Sequence, residues 1–161
     1  MDQMYSFDAI LFPADGRPPH VVKLMTSPAS YTNPHSYHAS VAGDARIPHP
    51  EIHMEYIAEN VGARAWNYQL VEALDGMNKK FTNPYIIFFP VISRDGMPFP
   101  LNKTLREIQG KLYRPESAWM GNIVIAKYRD ARFTQMMNAS MADFPILKNY
   151  LSTHGSPVRH H

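Results

Sequence analysis

Two apolar runs rich in β-branched and aromatic residues, Tyr5–Phe12 and His20–Thr26, open the chain, with Pro13-Ala14-Asp15-Gly16-Arg17-Pro18-Pro19 between them. Asp-Gly supplies the positive φ of a turn and the prolines stop the ladder, so the pattern predicts a β-hairpin with a longish loop. Ser27–Pro48 shows neither helical nor strand period and carries Pro28, Pro34, Gly43 and Pro48, which predicts a long surface loop. In Glu51–Ala58, Ile52, Met54 and Tyr56 alternate with Glu51, His53 and Glu55, the period of a half-buried strand. Ala63, Trp66, Asn67, Leu70, Val71 and Leu74 then fall on one helical stripe, with Gly76 just past its end, and predict an amphipathic helix.

Tyr85–Ile92 is almost uniformly apolar and predicts a strand buried on both faces near the sheet centre, with Pro90 marking a bulge or an edge. Asn102 is placed to cap a short helix that carries Leu105 and Ile108 and stops at Gly110, and Asn122–Tyr128 reads as a further strand. Asp143 caps a last helix with Pro145 in its first turn, Leu147, Tyr150 and Leu151 facing inward, and Gly155 as terminator. The order β-β-β-α-β-α-β-α, without internal repeat, predicts one α/β domain over residues 1–155, with α+β as the alternative class. Its sheet is mixed, with about five strands, because strand-helix-strand passages favour parallel crossovers. A disordered tail is expected over 156–161.

Composition narrows the chemistry. A length of 161 residues suits one domain, and the absence of cysteine removes disulfides, thiolate nucleophiles and Cys-ligated zinc or iron–sulfur centres together. Met1–Ser6 has no signal-peptide character and Pro84–Ile92, the longest apolar run, falls far short of the roughly 20 residues needed to cross a bilayer, so a soluble cytoplasmic protein is expected. Sixteen Lys and Arg against fourteen Asp and Glu leave a formal charge of +2, too little for a dedicated duplex-DNA binder. No Gly-rich phosphate loop and no nucleophile elbow is present.

Four of the eight histidines fall between His35 and His53, namely His35, His38, His49 and His53, in the company of Asp44, Glu51, Glu55 and Glu59. In a thiol-free chain these are the ligand types that zinc or manganese would take. On a strand, residues two apart lie about 7 Å from one another, so Glu51 with His53, or His49 with Glu51, can share an ion if His35 or His38 folds over from the loop. The leading reading is a binding or interaction domain for a small molecule or protein, with loop 27–49 and strand 51–58 as its recognition surface. The second is a divalent-metal hydrolase or nuclease with His35, His38, His49, His53 and Glu51 as ligands and Glu55 as base. The third is a metal-free acid–base hydrolase acting through Glu51, His53 and Glu55, with Arg46 or Arg64 holding the substrate. The plain alternative for all these residues is a solvated loop and the wet face of a strand.

Arg94 and Asp95, just after the most apolar strand, mark a second place where a ligand crevice is expected. Lys79, Lys80, Lys103, Arg106, Lys111 and Arg114, with Tyr85 and Tyr113 for stacking, have the make-up of a surface for single-stranded nucleic acid, although a charge run more commonly marks a solvated face. Met136, Met137 and Met141 are read as core filling. The sequence leaves substrate, partner, metal occupancy and oligomeric state open.

The stretches HPEIHMEYIAE, NPYIIFFPVISRDGMPFP and SMADFPILKNYLSTHG resemble small uncharacterised proteins of mushroom-forming fungi. That resemblance implies a similar intracellular, cysteine-poor domain over most of the chain and carries no activity and no site. The element order also resembles the ribonuclease H-like fold. This second resemblance implies a two-metal carboxylate site, with Asp8, Glu72, Asp95 and Asp143 as the counterparts of its ligands.

Overall fold

The computed structural model describes residues 5–27, 51–53, 63–73, 80–129 and 136–157. The strands are β1 (Tyr5–Phe12), β2 (His20–Ser27), β3 (Glu51–His53), β4 (Ala63–Ala73), β5 (Lys80–Ser93), β6 (Ile123–Tyr128) and the short β7 (Met136–Met137). The helices are α1 (Lys103–Gln109) and α2 (Phe144–Thr153), with single 3-10 turns at Gly110–Leu112, Pro115–Ser117 and Met141–Asp143. The sheet runs in the order β3-β2-β1-β6-β5-β4, with β7 beside β6, and every pairing is antiparallel. The class is therefore α+β, built on the expected N-terminal hairpin, and the parallel crossovers expected from the sequence are absent among the described residues.

The largest correction concerns Ala63–Leu74, which reads as a helix and folds as β4. The helical stripe had to include polar Asn67 and left Tyr68 on its far side. In the strand, Trp66, Tyr68 and Leu70 join one apolar cluster and Val71 joins the other, so period two accounts for more of the large residues. With a strand in place of the crossover helix, β4 and β5 pair antiparallel from Ala63↔Ser93 to Ala73↔Lys80, which makes β5 the second strand from an edge and not a central one. Pro90 does mark an irregularity, as expected of a residue with no N–H to give: the register shifts between Ala65↔Ile92 and Trp66↔Pro90. Of the strand expected over 51–58, β3 accounts for Glu51–His53, and residues 54–58 lie outside the described residues. The ribonuclease H-like order is lost with the helix, because Glu72 stands on β4.

The two faces of the sheet are both apolar. One carries Ala9, Leu11, Leu24, Tyr68, Ile86, Phe88, Val124, Ala126, Tyr128 and Met136, all from strands. The other packs against α1 and α2, where Leu105, Leu147 and Leu151 meet Ile10, Ile87, Ile125 and Trp119. Full burial of side chains of this size contributes on the order of 1.5–3 kcal/mol each, so this face holds the helices down.

Local chemistry fixes the helix ends. Asn102, fully buried, accepts from the Leu105 N–H at 3.0 Å and donates its amide protons to the Phe12 and Gly121 carbonyls at 2.8 and 2.9 Å. One side chain thus caps α1 and ties it to β1 and to the turn before β6. Ser140 and Asp143 form a reciprocal capping box ahead of α2, so Asp143 bonds back to the Ser140 N–H and does not cap its own helix by its side chain. Gly155 is likewise not the terminator expected: α2 closes at His154, and a Cβ at Gly155 would lie 2.6 Å from the Ser117 carbonyl, so its smallness serves a close crossing. Ser156 follows with an N–H bond to that same carbonyl at 2.8 Å.

Candidate functional site

The loop between β1 and β2 is held against the start of α1. Lys103 N–H donates to the Ala14 carbonyl at 3.1 Å, the Thr104 hydroxyl reaches the Arg17 and Pro13 carbonyls at 3.1 and 3.3 Å, and Ala14 N–H donates to Asn122 Oδ1 at 2.9 Å. Within the loop, Asp15 accepts from the Arg17 N–H at 3.0 Å and from its Nε at 2.8 Å. The Arg17 backbone N–H, followed by its guanidinium, holds the Asp15 carboxyl below its usual range. A proline-rich loop with so many backbone attachments is a wall rather than a flap.

That wall, α1 and α2 enclose a cleft of about 510 Å³ lined by Gly16 to Pro19, by Thr104, Glu107 and Ile108, and by Phe144 and Lys148. On the other side of α1 a second cleft, about 710 Å³, is lined by Leu101, Lys103, Arg106, Glu107, Gly110 and Tyr113. Arg106 lies over the Tyr113 ring at 5.0 Å, a cation–π arrangement. Glu107 borders both clefts. Their linings hold Lys103, Arg106 and Lys148, together with Arg17 in its ion pair with Asp15, against that one carboxylate. Volumes of this size suit small organic ligands.

A second cluster of ionisable groups is buried beneath α2. Asp143 Oδ1 accepts from the Tyr85 hydroxyl at 2.7 Å and from Lys127 Nζ at 2.8 Å, while Oδ2 accepts from the Ser140 N–H at 2.9 Å. Burial pushes the Asp143 carboxyl up, but the Lys127 bond, the Ser140 N–H and the Tyr85 hydroxyl together carry it below its ordinary value. Burial, and then the neighbouring Asp143 carboxylate, push Tyr85 far above the usual phenol range. None of the three lines either cleft, and both carboxylate oxygens are satisfied. The arrangement joins β5 and β6 to the foot of α2 and offers no open position for a substrate.

The residues expected to carry chemistry are distributed differently. β3 sets Glu51 opposite Ser27 and His53 opposite Met25, and Arg64 stands in β4. His35, His38, Arg46, His49 and Glu55 lie outside the described residues. Among the described residues no three His, Asp or Glu side chains are placed to hold a metal. The four carboxylates of the ribonuclease H-like resemblance are placed differently: Glu72 stands on β4, Asp8 pairs with Lys23 at 3.3 Å, Asp143 with Lys127, and Asp95 turns its Oδ1 to the Met97 N–H at 3.0 Å. Asp95 and Arg94 are exposed in the turn after β5. The rule that places crevices at strand ends belongs to parallel sheets and does not apply in this antiparallel one. Lys103, Arg106 and Tyr113 do come together, but Tyr85 is buried against Asp143 and unavailable for stacking. The contributions of Arg17, Thr104, Glu107 and Lys148 have no local signature, since three separate segments supply them. Compared with family models, curated proteins and solved structures, the chain matches none.

Proposed function

We propose that the protein is a ligand-binding domain that takes a small organic anion, a carboxylate or a phosphate compound, into the paired clefts beside α1. The observation that carries this reading is the gathering of Lys103, Arg106 and Lys148 around two adjoining concavities on a wall held by backbone hydrogen bonds. Cations brought together by folding repel one another and cost stability, a cost that an anion bound among them offsets. Arg106, held against the Tyr113 ring, carries a fork that matches a carboxylate or phosphate, while Lys103 and Lys148 supply point charges that adapt to the ligand's shape. Glu107 gives the clefts one acceptor, so a ligand carrying a hydroxyl or amine beside its acid groups fits better than a bare anion.

Calorimetric titration with inorganic phosphate, citrate and a nucleoside triphosphate tests the reading. At least one of them binds saturably, more weakly at high salt, and Arg106→Ala or Lys148→Ala reduces affinity roughly tenfold, the equivalent of one charge-assisted hydrogen bond. Absence of saturable binding by all three, or binding that neither substitution alters, overturns it.

A further inference from the structure

The two clefts beside α1 differ in what they present, and one carboxylate belongs to both. Lys103 and Arg106 line the larger cleft, Lys148 lines the smaller, and Glu107 lines each. From one cleft to the other across α1, the charges therefore run cation, anion, cation. Arg17 adds little to this series, because Asp15 holds its Nε at 2.8 Å, and the Thr104 hydroxyl is already turned to the Arg17 carbonyl at 3.1 Å.

Glu107 follows Lys103 by four residues in α1, a spacing at which helical side chains can pair. Among the described residues Glu107, Lys103 and Lys148 nevertheless make no ion pair and no side-chain hydrogen bond. Opposite charges that share a concave surface without meeting leave room for a molecule that meets both. The smaller cleft adds apolar surface, since Pro18, Pro19, Ile108 and Phe144 line it beside Lys148, with Ile108 and Phe144 packed on the core beneath the helices. The complement of this series is an amine between two acid groups, joined by a short aliphatic stem. We infer that the paired clefts take an acidic α-amino acid, with its ammonium at Glu107, its α-carboxylate at Arg106 and Lys103, and its side-chain carboxylate at Lys148.

This assignment rests on the anion-binding reading above and narrows it to one ligand class. An α-amino acid carries ammonium and carboxylate on one carbon, which suits Glu107 and Arg106, neighbours in sequence that line one cleft. Its methylenes then pass into the smaller cleft, where Ile108 and Phe144 give them apolar contact on the way to Lys148. Selection works by what is left unanswered. A dicarboxylate without the amine brings two anions to Glu107 with nothing to offset them, and an amino acid with an uncharged side chain leaves Lys148 without a counter-charge.

Calorimetric titration of the full chain at low salt tests the inference with L-aspartate, L-glutamate and L-2-aminoadipate, each set beside its counterpart without the amine: succinate, glutarate and adipate. At least one amino acid binds about tenfold more tightly than its counterpart, the equivalent of one charge-assisted hydrogen bond. Glu107→Gln brings that pair to equal affinity, and Lys148→Ala removes the advantage of the acidic amino acid over L-glutamine. Both side chains are exposed, and circular dichroism that matches the wild type shows that each variant is folded. Amino acids that bind no more tightly than their counterparts, or an advantage that survives Glu107→Gln, overturn the inference and leave the anion-binding reading standing. No saturable binding by any of these compounds or by phosphate, citrate and a nucleoside triphosphate overturns both.

Discussion

The Tyr85 hydroxyl donates to Asp143 Oδ1 at 2.7 Å, joining the middle of a sheet strand to the residue that begins the last helix, 58 positions further along the chain. Because Lys127 reaches the same oxygen from β6, a single carboxylate fixes where α2 lies on the sheet.

Removing either donor therefore destabilises the fold, in a definite order. Tyr85→Phe leaves the carboxylate with Lys127 and Ser140 and costs about 1.5–3 kcal/mol, the range for a hydrogen bond to a charged group. Lys127→Met removes the compensating charge from a largely buried anion and costs more, about 3–4 kcal/mol, as read from urea unfolding. A smaller loss for Lys127→Met than for Tyr85→Phe contradicts the assignment.

The same network sets both limbs of the stability–pH profile. The folded Asp143 carboxyl lies below its ordinary value, so its contribution is complete above the unfolded carboxylate range of about 4 and is lost as pH falls through the folded value. The folded Tyr85 lies above the unfolded phenol value of about 10, so its contribution is complete below that value and is lost as pH rises beyond it. Urea unfolding at stepped pH shows both limbs. Tyr85→Phe flattens the alkaline one and Asp143→Asn the acid one.

Asn102, fully buried, makes three side-chain hydrogen bonds. Asn102→Ala strands the Leu105 N–H and the Phe12 and Gly121 carbonyls in the core, and costs about 2–4 kcal/mol. Asn102→Asp keeps the cap but turns a carboxylate oxygen toward two carbonyls, so thermal melts place it at or below the alanine variant. A melting temperature for Asn102→Asp well above that of Asn102→Ala disproves this account.

Metal removal separates the binding reading from the hydrolase reading of the histidine-rich segment. An anion-binding domain keeps its melting temperature within about a degree in excess chelator, and its mass spectrum under native conditions shows no stoichiometric zinc or manganese. A fall of several degrees that His53→Ala reproduces would place a metal among His35, His38, His49 and Glu51 instead.

How far the fold was legible follows from which signals stand alone in the sequence. The hairpin, β6, α1 and α2 each carry one unambiguous mark: Asp-Gly between apolar runs, a β-branched run, Asn102 before Leu105, Pro145 after Asp143. Ala63–Leu74 carries two, since Trp66 and Leu70 satisfy both periods, and only the placing of Tyr68 and Asn67 separates them. That single misreading turned antiparallel neighbours into parallel ones. The clefts were illegible for a different reason. Their lining comes from the β1–β2 loop, α1 and α2, with loop and α1 joined by bonds such as that from the Thr104 hydroxyl to the Arg17 carbonyl, and such long-range bonds leave no periodic trace.

The position of β1 between β2 and β6 has a bearing on how the chain is made. Ile10, Leu11 and Phe12 pair with Ile125, Val124 and Ile123, and the Asp8 carbonyl waits for Ala139. During synthesis the first hairpin emerges with one apolar margin bare of its β6 partner and keeps it so until the chain has been made as far as Ile125, far beyond the hairpin's end at Ser27. Loop closure over that span is slow, and an uncovered margin attracts other nascent chains. Efficient production thus depends on whatever shields those three residues in the interval, and slowed translation downstream of the hairpin should lower the soluble yield.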